Sequence, residues 1–290
     1  MFSGSIVALV TPFKKTGEVD MDAYGRLIDF QLANGTNGLV PCGCTGEAAT
    51  LSHDEQKTCI RFAVERTAGK VPVIAGSGSN STAEAIALTK YAKEVGADAA
   101  LLITPYYNKP MPAGQIAHYT AVAQAVNIPI MLYNVPGRTA TNILPETVAV
   151  LEKVDNIVSI KEAAGSVDQA SQILSLCKRI VVMSGDDSLT LPMMVLGATG
   201  VVSVAANVVP AKMSALCAAA KQGDYLAARK LHFELMPLFK GLFVETNPMP
   251  VKACLAKMGL IEDILRLPLT SLPAEKSAKL EPILKELGAM

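Results

Sequence analysis

The chain has 290 residues, half of them hydrophobic and 18% charged, a composition that buries a large core and excludes a disordered or solvating segment. Lys and Arg total 26 and so do Asp and Glu, so the electrostatic footprint of a nucleic-acid or anionic-membrane binder is missing, and a charged ligand must be met by local groups. Six cysteines (Cys42, Cys44, Cys59, Cys177, Cys217 and Cys254) are scattered through a chain too large to need disulfide staples. They read as reduced thiols of a cytoplasmic protein, and the opening Met1-Phe2-Ser3-Gly4-Ser5 lacks the basic start of a signal peptide.

Short apolar runs of strand length recur at residues 6–10, 38–41, 71–75, 99–103, 130–133, 157–160, 180–183 and 201–204. Between them the apolar residues take helical spacing, as in Tyr24, Leu27, Ile28 and Leu32, or Ile86, Leu88, Tyr91, Ala92 and Val95. Helix starts carry their expected chemistry: Ser52 with Glu55 and Ser81 with Glu84 have capping-box spacing, and Pro145 and Pro210 suit a first turn. Residues 188–211 are uncharged for long enough to span a bilayer, but Pro192, Gly197, Gly200, Asn207 and Pro210 cut them into a helix, a turn and a strand. They read as buried core, with no membrane partner.

The strand runs are near-continuous and apolar without alternation, which indicates a parallel sheet covered on both faces. Eight strand-helix units predict an α/β fold, a (β/α)8 TIM barrel over residues 1–222, in preference to an open doubly wound sheet. After residue 222 only helical patterns continue, interrupted at Asn247-Pro248-Met249-Pro250, Pro268 and Pro273. Residues 223–290 therefore predict a small C-terminal helical domain packed on the barrel.

Reactive groups of such barrels project from the C-terminal ends of the strands. The sixth run ends Val158-Ser159-Ile160-Lys161-Glu162, making Lys161 the last inward residue of an uncharged strand. Burial disfavours an ammonium and leaves an amine that can attack carbonyl carbon; the plainer alternatives are a lysine that snorkels to solvent or pairs with Glu162. The fifth run ends Tyr133-Asn134-Val135-Pro136-Gly137-Arg138. Tyr133 at the height of Lys161 can shuttle protons, and Arg138, in a Pro-Gly turn at the rim, can clamp a carboxylate. After the second run, Cys42-Gly43-Cys44-Thr45-Gly46-Glu47 forms a glycine-rich turn whose amides, with the Thr45 hydroxyl, can hold a small carboxylate. Cys42 and Cys44 have no second pair, and His53, His118 and His232 show no ligand spacing, so no metal is expected. No nucleotide-binding glycine motif occurs, so no nucleotide cofactor is expected.

Five segments, residues 43–47, Pro105-Tyr106-Tyr107-Asn108, residues 133–139, Ile160-Lys161-Glu162-Ala163 and Gly185-Asp186-Asp187, in this order across the whole chain, closely resemble the dihydrodipicolinate synthase family. The resemblance implies a (β/α)8 barrel with a C-terminal helical part, assembled as a homotetramer of tight dimers. It also implies a lyase that condenses pyruvate, as a Schiff base on Lys161, with aspartate 4-semialdehyde in lysine and diaminopimelate biosynthesis. Tyr133 is then the proton donor and acceptor, Thr45 and the Gly46 turn bind the pyruvate carboxylate, the Val202 carbonyl faces the reacting centre, and Arg138 orients the semialdehyde. Tyr107 reaches a neighbouring subunit's site and completes a relay through Cys44, where the family carries threonine. A lysine effector site is implied by Ala49, His53, Asn80, Glu84 and Tyr106, although Ala48 and Gln56 stand where inhibited members have serine and histidine. Sister activities with the same lysine, such as N-acetylneuraminate lyase or a keto-sugar-acid aldolase, and a non-catalytic keto-acid-binding barrel, are the alternatives; Arg138 and the Tyr106-Tyr107 pair favour the synthase.

Overall fold

The computed structural model describes residues 2–290. Eight strands, β1 (Gly4–Ala8), β2 (Gly38–Val40), β3 (Ile74–Gly76), β4 (Ala99–Ile103), β5 (Ile130–Asn134), β6 (Ile157–Glu162), β7 (Val181–Ser184) and β8 (Gly200–Ser203), pair in parallel in the order β2-β1-β8-β7-β6-β5-β4-β3. A parallel bridge between Leu39 and Val73 joins the two ends of that series and closes the barrel. Each strand run of the sequence is present, with its ends moved by local chemistry. β3 begins later than its apolar run because Pro72 has no N–H to give to a ladder, and its carbonyl accepts from Leu39 N instead. β6 runs two residues past its apolar run, so that Lys161 and Glu162 are themselves ladder residues.

Around the barrel lie α1 (Met21–Ala33), α2 (His53–Thr67), α3 (Thr82–Glu94), α4 (Pro112–Ala125), the single turn α5 (Pro136–Thr139), α6 (Pro145–Leu151), α7 (Val167–Leu176), α8 (Thr190–Val195) and α9 (Pro210–Lys221). Then come α10 (Tyr225–Gly241), α11 (Met249–Lys257) and α12 (Ala274–Glu286). Pro145 and Pro210 open α6 and α9 as expected, where a missing N–H costs nothing. The Ser52 capping box closes in both directions, with Glu55 N to Ser52 Oγ at 3.2 Å and Ser52 N to Glu55 Oε2 at 2.8 Å. The Ser81 box does not: Ser81 N donates to Ser79 Oγ at 3.1 Å and that hydroxyl donates to the Glu84 carboxylate at 2.7 Å, so Ser79 stands between the two.

Side chains alternate between the two faces of each strand. Ile6, Ala8, Val40, Ile74, Ala99, Leu101, Met131, Val181, Met183 and Val202 fill the barrel interior, together with Tyr133. Their neighbours in sequence, such as Val7, Ala100, Leu132 and Val182, pack outward on the helices. Leu235, Leu238, Val251 and Leu255 of the C-terminal helices belong to the same apolar core as Val7, Leu9 and Leu27. Residues 223–290 thus share the barrel's apolar core, and Asn247 and Lys252 carry polar contacts from them to the turn after β2.

Candidate active site

β5 and β6 are in register at the mouth, with Tyr133 opposite Lys161 and Asn134 opposite Glu162. Parity therefore sends Tyr133 and Lys161 inward and the second pair outward. Lys161 is 5% exposed, and its Nζ lies 4.1 Å from the centroid of the Tyr133 ring. Burial lowers its pKa from 10.5 to about 8, against an opposing pull from Cys44, Asp186 and Asp187. The lysine neither snorkels nor pairs with Glu162. Glu162 instead accepts from Asn134 Nδ2 at 3.0 and 3.1 Å, from Ala164 N at 2.7 Å and from Gln169 Nε2 at 3.1 Å. Asn134 Oδ1 in turn receives Ile143 N at 2.9 Å. This outer polar network ties together the ends of the two strands that carry the inner pair.

Burial, followed by the neighbouring Cys44, raises the Tyr133 pKa well above 10.0, so its phenol stays protonated and available as an acid. Cys44 sits beside that hydroxyl, half-buried, in the turn after β2. The turn is tightly built: Glu47 N bonds to Cys44 O at 3.1 Å, and Thr11 Oγ1 donates to Gly46 O at 2.7 Å. A Cβ on Gly46 would stand 3.0 Å from the Leu9 carbonyl, which explains the glycine. Thr45 is buried, and its Oγ1 receives Asn247 Nδ2 at 2.9 Å. Glu47, at φ 54°, turns its carboxylate inward onto Lys252 Nζ at 2.6 Å.

Arg138 lies in the helical turn α5 and not in an open Pro-Gly turn; its Nη2 donates to the Asn247 carbonyl at 2.7 Å. Asp187 is fully buried and is pushed up to about 6 by burial. It accepts from Ser203 Oγ at 2.5 Å, Ala205 N at 2.9 Å and Val204 N at 3.1 Å, which fixes the end of β8 just past Val202. Tyr107 stands away from this cluster, at φ 71° and 90% exposed.

A cavity of about 450 Å³ opens over the mouth, walled by Cys44, Tyr133 and Arg138 and also by Ala49, His53, Gln56, Glu84 and Tyr106. Asn80 is not in its wall but donates to the Tyr106 carbonyl at 3.1 Å. Lys161, Thr45 and Val202 are buried and are not part of that wall. The sequence reading thus brought together Lys161, Tyr133, Cys44, Thr45 and Arg138. It missed Asn247 and Lys252, which reach the site from residues that sequence separation hides, and it missed the Asn134–Glu162 pair, whose only signal was position next to the reactive residues.

A parallel barrel that holds a buried, weakly basic lysine against a protonated tyrosine, beside a donor-rich turn and an arginine, has the parts of a Schiff-base-forming lyase. The profile of the Dihydrodipicolinate synthetase family matches residues 1–287. The sequence is 54% identical to the 4-hydroxy-tetrahydrodipicolinate synthase of Syntrophobacter fumaroxidans over 290 residues, 99% of each chain. The fold superposes on the chloride-inhibited dihydrodipicolinate synthase of Acinetobacter baumannii complexed with pyruvate at TM-score 0.98 and 45% identity, covering 100% of both chains. It superposes on the lysine-bound enzyme of Cyanidioschyzon merolae at TM-score 0.97 and 41% identity, covering 100% of this chain and 99% of that one. The chain belongs to the dihydrodipicolinate synthetase family.

Proposed function

We propose that the chain acts as a 4-hydroxy-tetrahydrodipicolinate synthase, condensing pyruvate with aspartate 4-semialdehyde in lysine and diaminopimelate biosynthesis. The observation that carries this reading is the buried Lys161 amine at 4.1 Å from the ring of Tyr133, which with Arg138 lines the cavity. The amine adds to the ketone of pyruvate and water leaves. The resulting iminium withdraws electrons from the adjacent methyl group, which loses a proton to give an enamine. The enamine carbon attacks the aldehyde, and the substrate amine then displaces Lys161 as the ring closes. Tyr133 delivers and recovers protons, the Thr45-Gly46 turn receives the pyruvate carboxylate, Arg138 takes the semialdehyde carboxylate, and the Val202 carbonyl faces the reacting carbon.

Tyr107 is assigned to the site of a second copy, a reading supported by its almost full exposure; the assembly is a homotetramer of tight dimers. Lysine is the assigned effector, and Ala49, His53, Glu84 and Tyr106 in the wall of the cavity, with Asn80 behind them, support that reading. Six free cysteines, five of them buried, suit a cytoplasmic location. No helix among the described residues is long and apolar enough to cross a membrane.

Borohydride reduction in the presence of pyruvate, with mass mapping of the adduct, tests the reading together with a coupled assay using the semialdehyde. An adduct on Lys161 with turnover is expected. An adduct without product points to a keto-acid-binding barrel, and no adduct at all overturns the assignment.

Cys44 gives a second expectation. A thiol donates and accepts hydrogen bonds more weakly than a hydroxyl, and here it lies against the Tyr133 phenol whose proton must move. Cys44→Thr should raise kcat by about threefold to tenfold, the worth of one improved hydrogen bond, with little change in KM; an unchanged kcat in steady-state assays removes Cys44 from the relay.

A further inference from the structure

The segment between α10 and α11 comes from the far end of the chain, yet one of its residues touches both carboxylate-binding groups of the site. Asn247 is 4% exposed. Its side-chain Nδ2 donates to Thr45 Oγ1 at 2.9 Å, and its backbone carbonyl accepts from Arg138 Nη2 at 2.7 Å. Its Oδ1 is buried with no partner among the described residues.

We propose that Asn247 is a positioning residue that sets the direction of the Thr45 hydroxyl proton. An amide nitrogen can only donate, so the oxygen of Thr45 is used as an acceptor. Its single proton is then left to point away from Asn247, and no other acceptor for it is present among the described residues. That is the state in which a threonine serves as a donor to an incoming carboxylate without first breaking a bond. The amide of Asn247 has one partnered end and one unpartnered end, so turning it over would exchange an unpaired carbonyl for an unpaired amino group and relieve no burial cost. Turning it over would make Oδ1 accept the Thr45 proton and take the donor from the site.

The two contacts of Asn247 differ in kind, and this makes the assignment testable. The bond to Thr45 runs through the side chain, whereas the bond to Arg138 runs through the backbone and survives side-chain replacement. Asn247→Ala should therefore raise the KM for pyruvate by about threefold to tenfold, the worth of one neutral hydrogen bond, and leave the KM for the semialdehyde within about twofold. The proposal rests on the role given to Thr45 above, so the same substitution is made in a Thr45→Val background, where it should have no further effect on the pyruvate KM. Asn247→Asp retains the shape of the side chain but can only accept, so it draws the Thr45 proton to itself. It should weaken pyruvate more than alanine does in the wild-type background, and the part of that loss that depends on the hydroxyl should vanish in Thr45→Val.

An unchanged pyruvate KM in Asn247→Ala overturns the assignment, as does an equal effect with and without the Thr45 hydroxyl. A parallel rise in both KM values, with a lowered melting temperature, also overturns it in favour of a structural role. If borohydride traps no pyruvate on the unmodified protein, the catalytic reading fails first and this one with it; an adduct with unchanged Asn247→Ala kinetics overturns this one alone.

Discussion

Replacing Lys161 with methionine should abolish borohydride trapping of pyruvate and lower kcat by about a thousandfold or more, the usual scale for removal of a covalent nucleophile. The same substitution should make the protein more stable near neutral pH. Lys161 is buried, and its pKa falls from 10.5 to about 8 on folding. The folded state therefore binds fewer protons than the unfolded state between those values, and stability rises with pH across that window. The penalty is absent above about pH 10.5 and fully present below about pH 8, where it amounts to about 3 kcal/mol. Methionine, of similar length and without charge, escapes it. A pH series of melting temperatures should show wild type and variant converging as pH rises from 8 to 10.5, and a wild type that is the more stable at pH 7 would contradict the buried-amine account. The rate of adduct formation carries the complementary signature: it should climb about tenfold per unit below pH 8 and level off above, as the neutral amine becomes the dominant form.

The second large effect is expected at the buried pair of Lys252 and Glu47. Both side chains are 0–1% exposed, with Nζ and Oε1 2.6 Å apart. Glu47 Oε2 also receives Arg266 N at 3.3 Å, and Lys252 Nζ lies 4.3 Å from the centroid of the Phe13 ring. Burial lowers the lysine pKa, and the carboxylate partner opposes the shift. Lys252→Met removes the counter-charge and strands a carboxylate in the interior, at a cost of about 3–5 kcal/mol, or roughly a 10 °C fall in melting temperature for a domain of this size. Adding Glu47→Gln should recover most of that loss, because the remaining group is neutral and keeps an oxygen for Arg266. Glu47 immediately follows Thr45-Gly46 in the tight turn, so the single variant should also raise the KM for pyruvate, and the double variant should bring it back part of the way. Equal stabilities of the single and double variants in thermal melts would show that the pair contributes no net charge compensation.

Much of the barrel is written in local patterns. Unbroken apolar runs such as residues 99–103 and 130–133 read as strands hidden on both faces, and a lone lysine ending such a run stands out because charge there is expensive. The register that sets Tyr133 against Lys161 follows from the two runs ending at like heights. What local pattern cannot carry is pairing across long separations. Asn247 lies in a stretch that reads only as a break between helices, yet it bonds to a residue 202 positions away. Lys252 reads as one polar position of a C-terminal helix and is completely buried on Glu47. Glu84 shows the opposite failure: its capping-box spacing is real, but the nearby Ser79 hydroxyl, which no spacing rule includes, takes its carboxylate.

The outward-facing network of Asn134, Glu162 and Gln169 separates two tasks within the same strands. The inner face holds Lys161 and Tyr133, and the outer face fixes the strand ends that carry them. On the proposed function, re-lining the cavity at residues such as Arg138 and Tyr106 should change the acceptor while the lysine and tyrosine of the inner face stay as they are. In such a barrel, new substrates can be gained one loop at a time.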